Sequence, residues 1–178
     1  MQRFDVLIIG SGLAGIALAL RLAEHRKVAI LTKQELISGA SAWAQGGIAG
    51  VLSEGDSVDQ HVQDTLVAGA GLCDEPMTRF IVERSRDAIH WLIQRGVPFT
   101  KDSATTLGYH LTREGGHSQR RIIHVDDATG WAVQQTLAAQ VQAHPNITVF
   151  EHHIAVDLIT SGKLGMREHR CLGAYALD

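Results

Sequence analysis

The chain has 178 residues, 16 Lys and Arg against 19 Asp and Glu, a formal net charge of −3, and 45% hydrophobic residues. That balance excludes intrinsic disorder and a general electrostatic attraction to nucleic acid or an anionic membrane. Its length fits roughly one domain with a buried core, and its two cysteines, Cys73 and Cys171, are too few and too far apart for a disulfide or metal framework.

The first 32 residues carry a βαβ pattern. Residues 4–9 (FDVLII) form a short apolar run, expected to be a strand buried on both faces of a parallel sheet. Gly10, Ser11, Gly12, Leu13, Ala14 and Gly15 follow, and residues 16–24 are rich in Ala and Leu, as a helix requires. Residues 27–32 (KVAILT) make a second buried strand. The near-continuous apolar stretch from residue 6 to 23 is not a membrane span or a signal peptide: Arg21 interrupts it, Asp5 abuts it, and three glycines punctuate it.

A glycine-rich loop over residues 34–55 comes next, long enough to suggest function. Helices are predicted over 56–66, capped by Asp56 or Ser57, and over 75–95, with Asp74 as cap and Pro76 in the first turn. Met77, Phe80, Ile81, Ala88 and Leu92 form the expected apolar stripe of the second, and Gly96 its stop. Short strands are expected at 109–112 and 121–124, then a helix over 129–143 with Val133, Leu137 and Val141 four apart. Strands at 147–150, 154–160 and 171–177 read as the start of a β-meander. No internal repeat or interdomain linker is visible.

Three motifs carry chemistry. Gly10-x-Gly12-x-x-Gly15 sits after a strand and opens a helix, the context in which this spacing binds a dinucleotide. Gly10 allows the tight turn, Gly12 the approach of a pyrophosphate, and Gly15 close helix–strand packing. The second strand ends in Thr32-Lys33 rather than an acid, so the fingerprint alone leaves NAD, NADP and FAD open. The second motif is Ser41-Ala42-Trp43-Ala44-Gln45-Gly46-Gly47, whose small residues let backbone amides reach a flat ligand. The third spans residues 111–124 and gathers Arg113, Glu114, His117, Arg120, Arg121 and His124 around Gly115-Gly116. Its guanidinium groups suit a small anionic substrate.

In this order the three motifs resemble the succinate dehydrogenase/fumarate reductase flavoprotein family, and within it the L-aspartate oxidases, over residues 5 to about 178. Residues 64–74 and 91–97 are also similar. The Arg113-Glu114-Gly115-Gly116-His117-Ser118 stretch is the most diagnostic, because the respiratory relatives differ there. The resemblance implies an α/β, Rossmann-like FAD-binding domain with a parallel sheet, incomplete in this chain: residues 1–178 are its N-terminal part, and the capping and C-terminal parts are absent.

It also implies roles for particular residues. Gly10, Ser11, Gly12, Leu13, Ala14 and Gly15 would hold the FAD pyrophosphate, with Lys33 by the adenosine ribose. Ala40, Ser41, Ala42, Trp43, Ala44, Gln45, Gly46 and Gly47 would run along the ribityl chain and isoalloxazine. Ala155 would lie near the adenine, and Glu114 would orient L-aspartate by its amino group. Respiratory members attach FAD through a histidine at the position of Ala40, so here FAD is expected to be non-covalent.

The implied activity is oxidation of L-aspartate to iminoaspartate with oxygen or fumarate as acceptor, in cytoplasmic NAD biosynthesis, with quinolinate synthase as a channelling partner. The proton-moving arginine and the carboxylate clamps of the family lie later than residue 178, so the chain alone is expected to be inactive. Two alternatives stand beside this: a fumarate reductase or succinate dehydrogenase flavoprotein, and a non-catalytic dinucleotide-binding module.

The remaining residues read structurally. The ten histidines show no H-E-x-x-H spacing, so no metal is expected. His117 and His124 are expected near cofactor or substrate. His25, His61, His90, His144 and His169 are expected on the surface, Trp91 and Phe80 in the core, and both cysteines as small buried hydrophobes.

Overall fold

The computed structural model describes residues 2–178. In chain order its first elements are β1 (Val6–Ile9), α1 (Leu13–Leu22), β2 (Val28–Leu31), a 3-10 turn (Ala40–Trp43), β3 (Ile48–Ala49), α2 (Val58–Ala68) and α3 (Glu75–Gln94). Then follow β4 (Leu111–Thr112), β5 (Ile122–Ile123), α4 (Thr129–Ala143), β6 (Ile147–Phe150), β7 (Ile154–Thr160), a 3-10 turn (Gly162–Leu164) and β8 (Cys171–Leu177). They divide into two compact units, one made of the residues up to Ala42 with Gln134–Asp178, the other of Trp43–Val133.

In the first unit β1, β2 and β6 form a parallel sheet in the order β1-β2-β6, with Val28 beside both Val6 and Ile147. The central β2 is buried throughout. The expectation of burial on both faces fails for β1, where Ile8 is buried but Leu7 and Ile9 are 39% and 54% exposed. β1 pairs on one side only among the described residues, so its side chains alternate between a covered and an open face. α1 packs on β1 and β2, burying Ile16, Ala19 and Leu20. Residues 134–143 of α4 bury Leu137, Ala138 and Val141.

The expected β-meander is corrected here. A parallel neighbour needs a crossover of a dozen or more residues, and α4 supplies it, so β6 joins β2. Only β7 and β8 pair antiparallel. Asn146 is used internally: its side-chain amide donates to the Ala23 carbonyl (2.9 Å) just past α1.

In the second unit β3, β5 and β4 form a small antiparallel sheet in the order β3-β5-β4, and α2 packs against α3. Ser57 caps α2 by accepting from the Gln60 amide, and Asp74 caps α3 by accepting from Met77 (2.8 Å). The expected stripe of α3 is displaced. Val82 and Ile89 are the buried pair, whereas Met77, Phe80 and Ile81 are 54%, 48% and 61% exposed.

The reason is local. Gly50 lies so close to Ile89 and Ser85 that a Cβ there would meet both, which fixes the Val82–Ile89 face inward. Phe80 turns outward under the Arg84 guanidinium, 3.6 Å from its ring centroid. Phe80 is therefore not a core residue. Both cysteines are free, but neither has the expected burial: Cys73 is half-buried and Cys171, on β8, is exposed.

Candidate functional site

The glycine motif forms the whole connection between β1 and α1. Gly10 sits at φ 109°, a conformation open to glycine and costly for other residues. A Cβ on Gly15 would collide with the Gly10 carbonyl oxygen, so only glycine lets α1 start this close to the strand. A Cβ on Gly10 or Gly12 would meet nothing within 4 Å, so both face open space. Gly12 occupies the N-cap position of α1 and offers no side-chain cap. The first-turn amides of α1, which begins at Leu13 and Ala14, therefore remain available to an anion.

This arrangement suits a dinucleotide. A cavity of about 410 Å³ opens over it, lined by Gly10, Ser11, Gly12, Lys33, Ala40 and Ala155, with Glu35, Ser38 and His153. All these residues lie in the first unit. Ser11 and Thr32 share a hydrogen bond between hydroxyls (3.0 Å) that joins the glycine turn to the end of β2.

Gln134, fully buried on α4, was not legible as a site residue. Its side-chain amide donates to the carbonyls of Ser11 (3.0 Å) and Leu36 (3.2 Å) and so ties the glycine turn to the loop after β2. Nothing in a helical glutamine announces such a role. The Glu151 carboxylate holds the same loop by accepting from the Leu36 amide (2.7 Å). Ser41 and Ala42 lie on the 3-10 turn beside Ala40 without lining the cavity.

The second unit contains a cleft of about 560 Å³ lined by Gln45, Gly46, Gly47, Thr112, Glu114, His124, Asp126 and Asp127. It brings the end of the second motif to the third. A Cβ on Gly47 would overlap Ile122 and the Ile123 carbonyl, so the glycine lets the segment entering β3 press against β5. Glu114 is exposed, its carboxylate is in no ion pair among the described residues, and its Oε2 lies 3.9 Å from where a Gly46 Cβ would be. Trp43 and Ala44 do not line the cleft. Trp43 is 83% exposed, and the Ala44 carbonyl accepts from the Gly130 amide (2.9 Å) at the start of α4. Asp126 and Asp127 had no sequence signal beyond their place after the third motif.

Arg121 departs from its expected role. Its guanidinium is fully buried and donates through Nε and Nη2 to both oxygens of Asp56 (2.8 and 2.7 Å) and through Nη1 to Asp64 (2.6 Å). It is consumed by internal carboxylates and offers nothing to an anionic ligand. Asp64 also accepts from the amide and hydroxyl of Ser118, both at 2.8 Å. Burial alone would raise the Asp64 carboxyl, but the Ser118 and Arg121 bonds outweigh it and hold it below the usual range. Arg113 and Arg120, by contrast, line a separate open pocket with Thr112, Ser118 and Gln119.

His61 is also not a surface residue. It is 6% exposed, its ring meets His117 edge to face, and its Nδ1 has no hydrogen-bond partner. Burial, and then the charge of Arg121, lower its proton affinity.

Residues 5–178 match the model of a family described as FAD binding domain. The chain is 62% identical to L-aspartate oxidase 1 of Ralstonia nicotianae and 58% identical to L-aspartate oxidase of Pseudomonas aeruginosa, over 99% and 98% of its length. It spans about a third (33%) of the length of each of these curated relatives. Among solved structures, the E. coli quinol fumarate reductase FrdA chain superposes with a TM-score of 0.86 at 25% identity, over 98% of this chain and 29% of that one. The Mycobacterium smegmatis Sdh1 complex superposes with a TM-score of 0.83 at 25% identity, over 97% of this chain and 30% of that one. Matched along nearly its whole length, the chain belongs to the FAD-binding domain family, and its sequence is similar to those of L-aspartate oxidases.

Proposed function

We propose that the chain is the N-terminal part of the flavin domain of an FAD-dependent L-aspartate oxidase, which oxidises L-aspartate to iminoaspartate with oxygen or fumarate as acceptor. The observation that carries this reading is the Glu114 cleft. An uncommitted carboxylate there stands with Asp126 and Asp127, an arrangement that attracts an ammonium group.

FAD, when bound, supplies the two-electron acceptor for the substrate. The chain's own residues bind and orient. Gly10, Ser11, Gly12, Leu13, Ala14 and Gly15 hold the pyrophosphate at the N-terminus of α1, and Lys33 serves the adenosine ribose. Ala155 lies by the adenine. Ala40, Ser41, Ala42, Trp43, Ala44, Gln45, Gly46 and Gly47 serve the rest of the cofactor. Glu114 holds the substrate ammonium. With Ala40 where respiratory members carry their linking histidine, FAD is non-covalent.

The capping and C-terminal parts, with the carboxylate clamps, belong to the remaining two thirds of such an enzyme. On this reading the enzyme serves NAD biosynthesis in the cytoplasm and passes its product to quinolinate synthase. No described helix is long and apolar enough to cross a membrane.

The test is an oxidase assay on the full-length protein with L-aspartate against succinate. Turnover of aspartate and release of yellow flavin by mild acid are expected. Oxidation of succinate alone, or flavin retained on the denatured polypeptide, overturns the reading in favour of a respiratory-type flavoprotein.

A further inference from the structure

His124, directly after β5, lines the same cleft as Glu114. Its Nε2 lies 2.9 Å from Nδ1 of His110, directly before β4. The antiparallel register, Leu111 opposite Ile123, brings the two histidines side by side, with their rings edge to face and centroids 5.2 Å apart. Thr100 pins both backbones: its carbonyl accepts from the His110 amide and its amide donates to the His124 carbonyl, each at 2.9 Å.

In a bond between two imidazoles, one ring must donate and the other accept. With His110 Nδ1 as acceptor, His124 carries its proton on Nε2. Its Nδ1 lone pair, which has no partner among the described residues, is then left as a base. Protonation at Nδ1 makes an imidazolium that keeps its bond to His110. Glu114, Asp126 and Asp127 line the cleft with His124. Next to His110, the Arg120 guanidinium donates to the Leu111 carbonyl (3.2 Å).

An amine must be neutral before its carbon can give up a hydride, because the nitrogen lone pair forms the new C=N bond. An imidazole matches that deprotonation at neutral pH better than a carboxylate does.

We propose that His124 takes the proton from the substrate's α-ammonium, and that His110 is a positioning residue that fixes the His124 tautomer. The proposal rests on the reading that an amino acid binds with its ammonium at Glu114. In this step an ammonium N–H bond breaks, its electron pair stays on nitrogen, and the proton bonds to Nδ1 of His124. The products are a neutral amine and a His124 imidazolium, with no change in oxidation state.

The test uses the full-length, FAD-loaded protein and follows anaerobic flavin reduction by L-aspartate. His124→Ala is expected to slow reduction by about 10²–10³-fold with little change in apparent aspartate affinity. Added imidazole should restore part of the rate. Glu114→Gln should act mainly on affinity. His110→Phe should displace the acid limb of the pH–rate profile, and in flavin-free protein it should shift the ring-nitrogen NMR titration of His124.

An unchanged rate in His124→Ala, or a loss that imidazole does not rescue, overturns the role of His124. A His124 titration indifferent to His110→Phe overturns the role of His110. If the wild-type flavin is not reduced by aspartate at all, the underlying functional reading falls with it, an outcome distinct from the other two.

Discussion

Replacing Arg121 with methionine would leave the Asp56 carboxylate buried without its ion pair, with only the Ser57 amide still donating to Oδ1. Removing one partner from a buried pair costs about 3–5 kcal/mol, so Arg121→Met should lower the urea midpoint of the full-length protein accordingly. Gly15→Ala is a second test at this scale. Its Cβ meets the Gly10 carbonyl, which is backbone and cannot swing aside, so overpacking of about 1–3 kcal/mol is expected together with loss of bound flavin on gel filtration. Glu114→Gln should raise the KM for L-aspartate at least several-fold while folding stays intact, because the side chain is exposed and unpaired; an unchanged KM would remove Glu114 from the site. The glycine turn at Gly10 and Gly15 was legible from spacing. Arg121 was not, because an arginine in a basic loop and an arginine satisfying two distant carboxylates read identically in one dimension.

Helix ends carry their own local code, and the sequence located them well. Asp74 begins α3 as expected and accepts from the Met77 amide. Asp74→Ala should therefore cost about 1 kcal/mol, read as a shift in the thermal midpoint. The long helices and the strands β6, β7 and β8 matched their expected spans because each rests on an unbroken local pattern. Which face of α3 turns inward did not follow. Two apolar faces compete on that helix, and the choice of Val82 and Ile89 over Met77, Phe80 and Ile81 comes from the close approach of Gly50. The pairing of β6 with β2 likewise depends on the crossover through α4 rather than on the strand's own residues.

Acid should weaken the protein in two stages. His61 is held below the ordinary 6.5 by burial, then by Arg121 and His117. Its neutral form is favoured by folding, so its contribution is full above the unfolded value of about 6.5 and is lost as pH falls below it. Asp64 is held below the ordinary 3.8, its hydrogen bonds outweighing burial. Its contribution persists above that value and disappears as pH falls through the lower folded one. Urea midpoints of the full-length protein measured between about pH 7 and pH 3 should therefore drop in both windows, and His61→Leu should remove the upper drop.

By itself the sequence determined the βαβ start, the glycine turn, the capped helices and the family, because each is written in short-range spacing that only a few backbone shapes satisfy. The tertiary structure alone decided the rest. It spent Arg121 on Asp56 and Asp64, gathered Asp126 and Asp127 around Glu114, and set Gln134 beneath the glycine turn. It also joined His110 to His124. Each of these joins residues far apart in the chain or orients side chains across a sheet. Burial and hydrogen-bond satisfaction choose such partners only once the chain has folded back on itself.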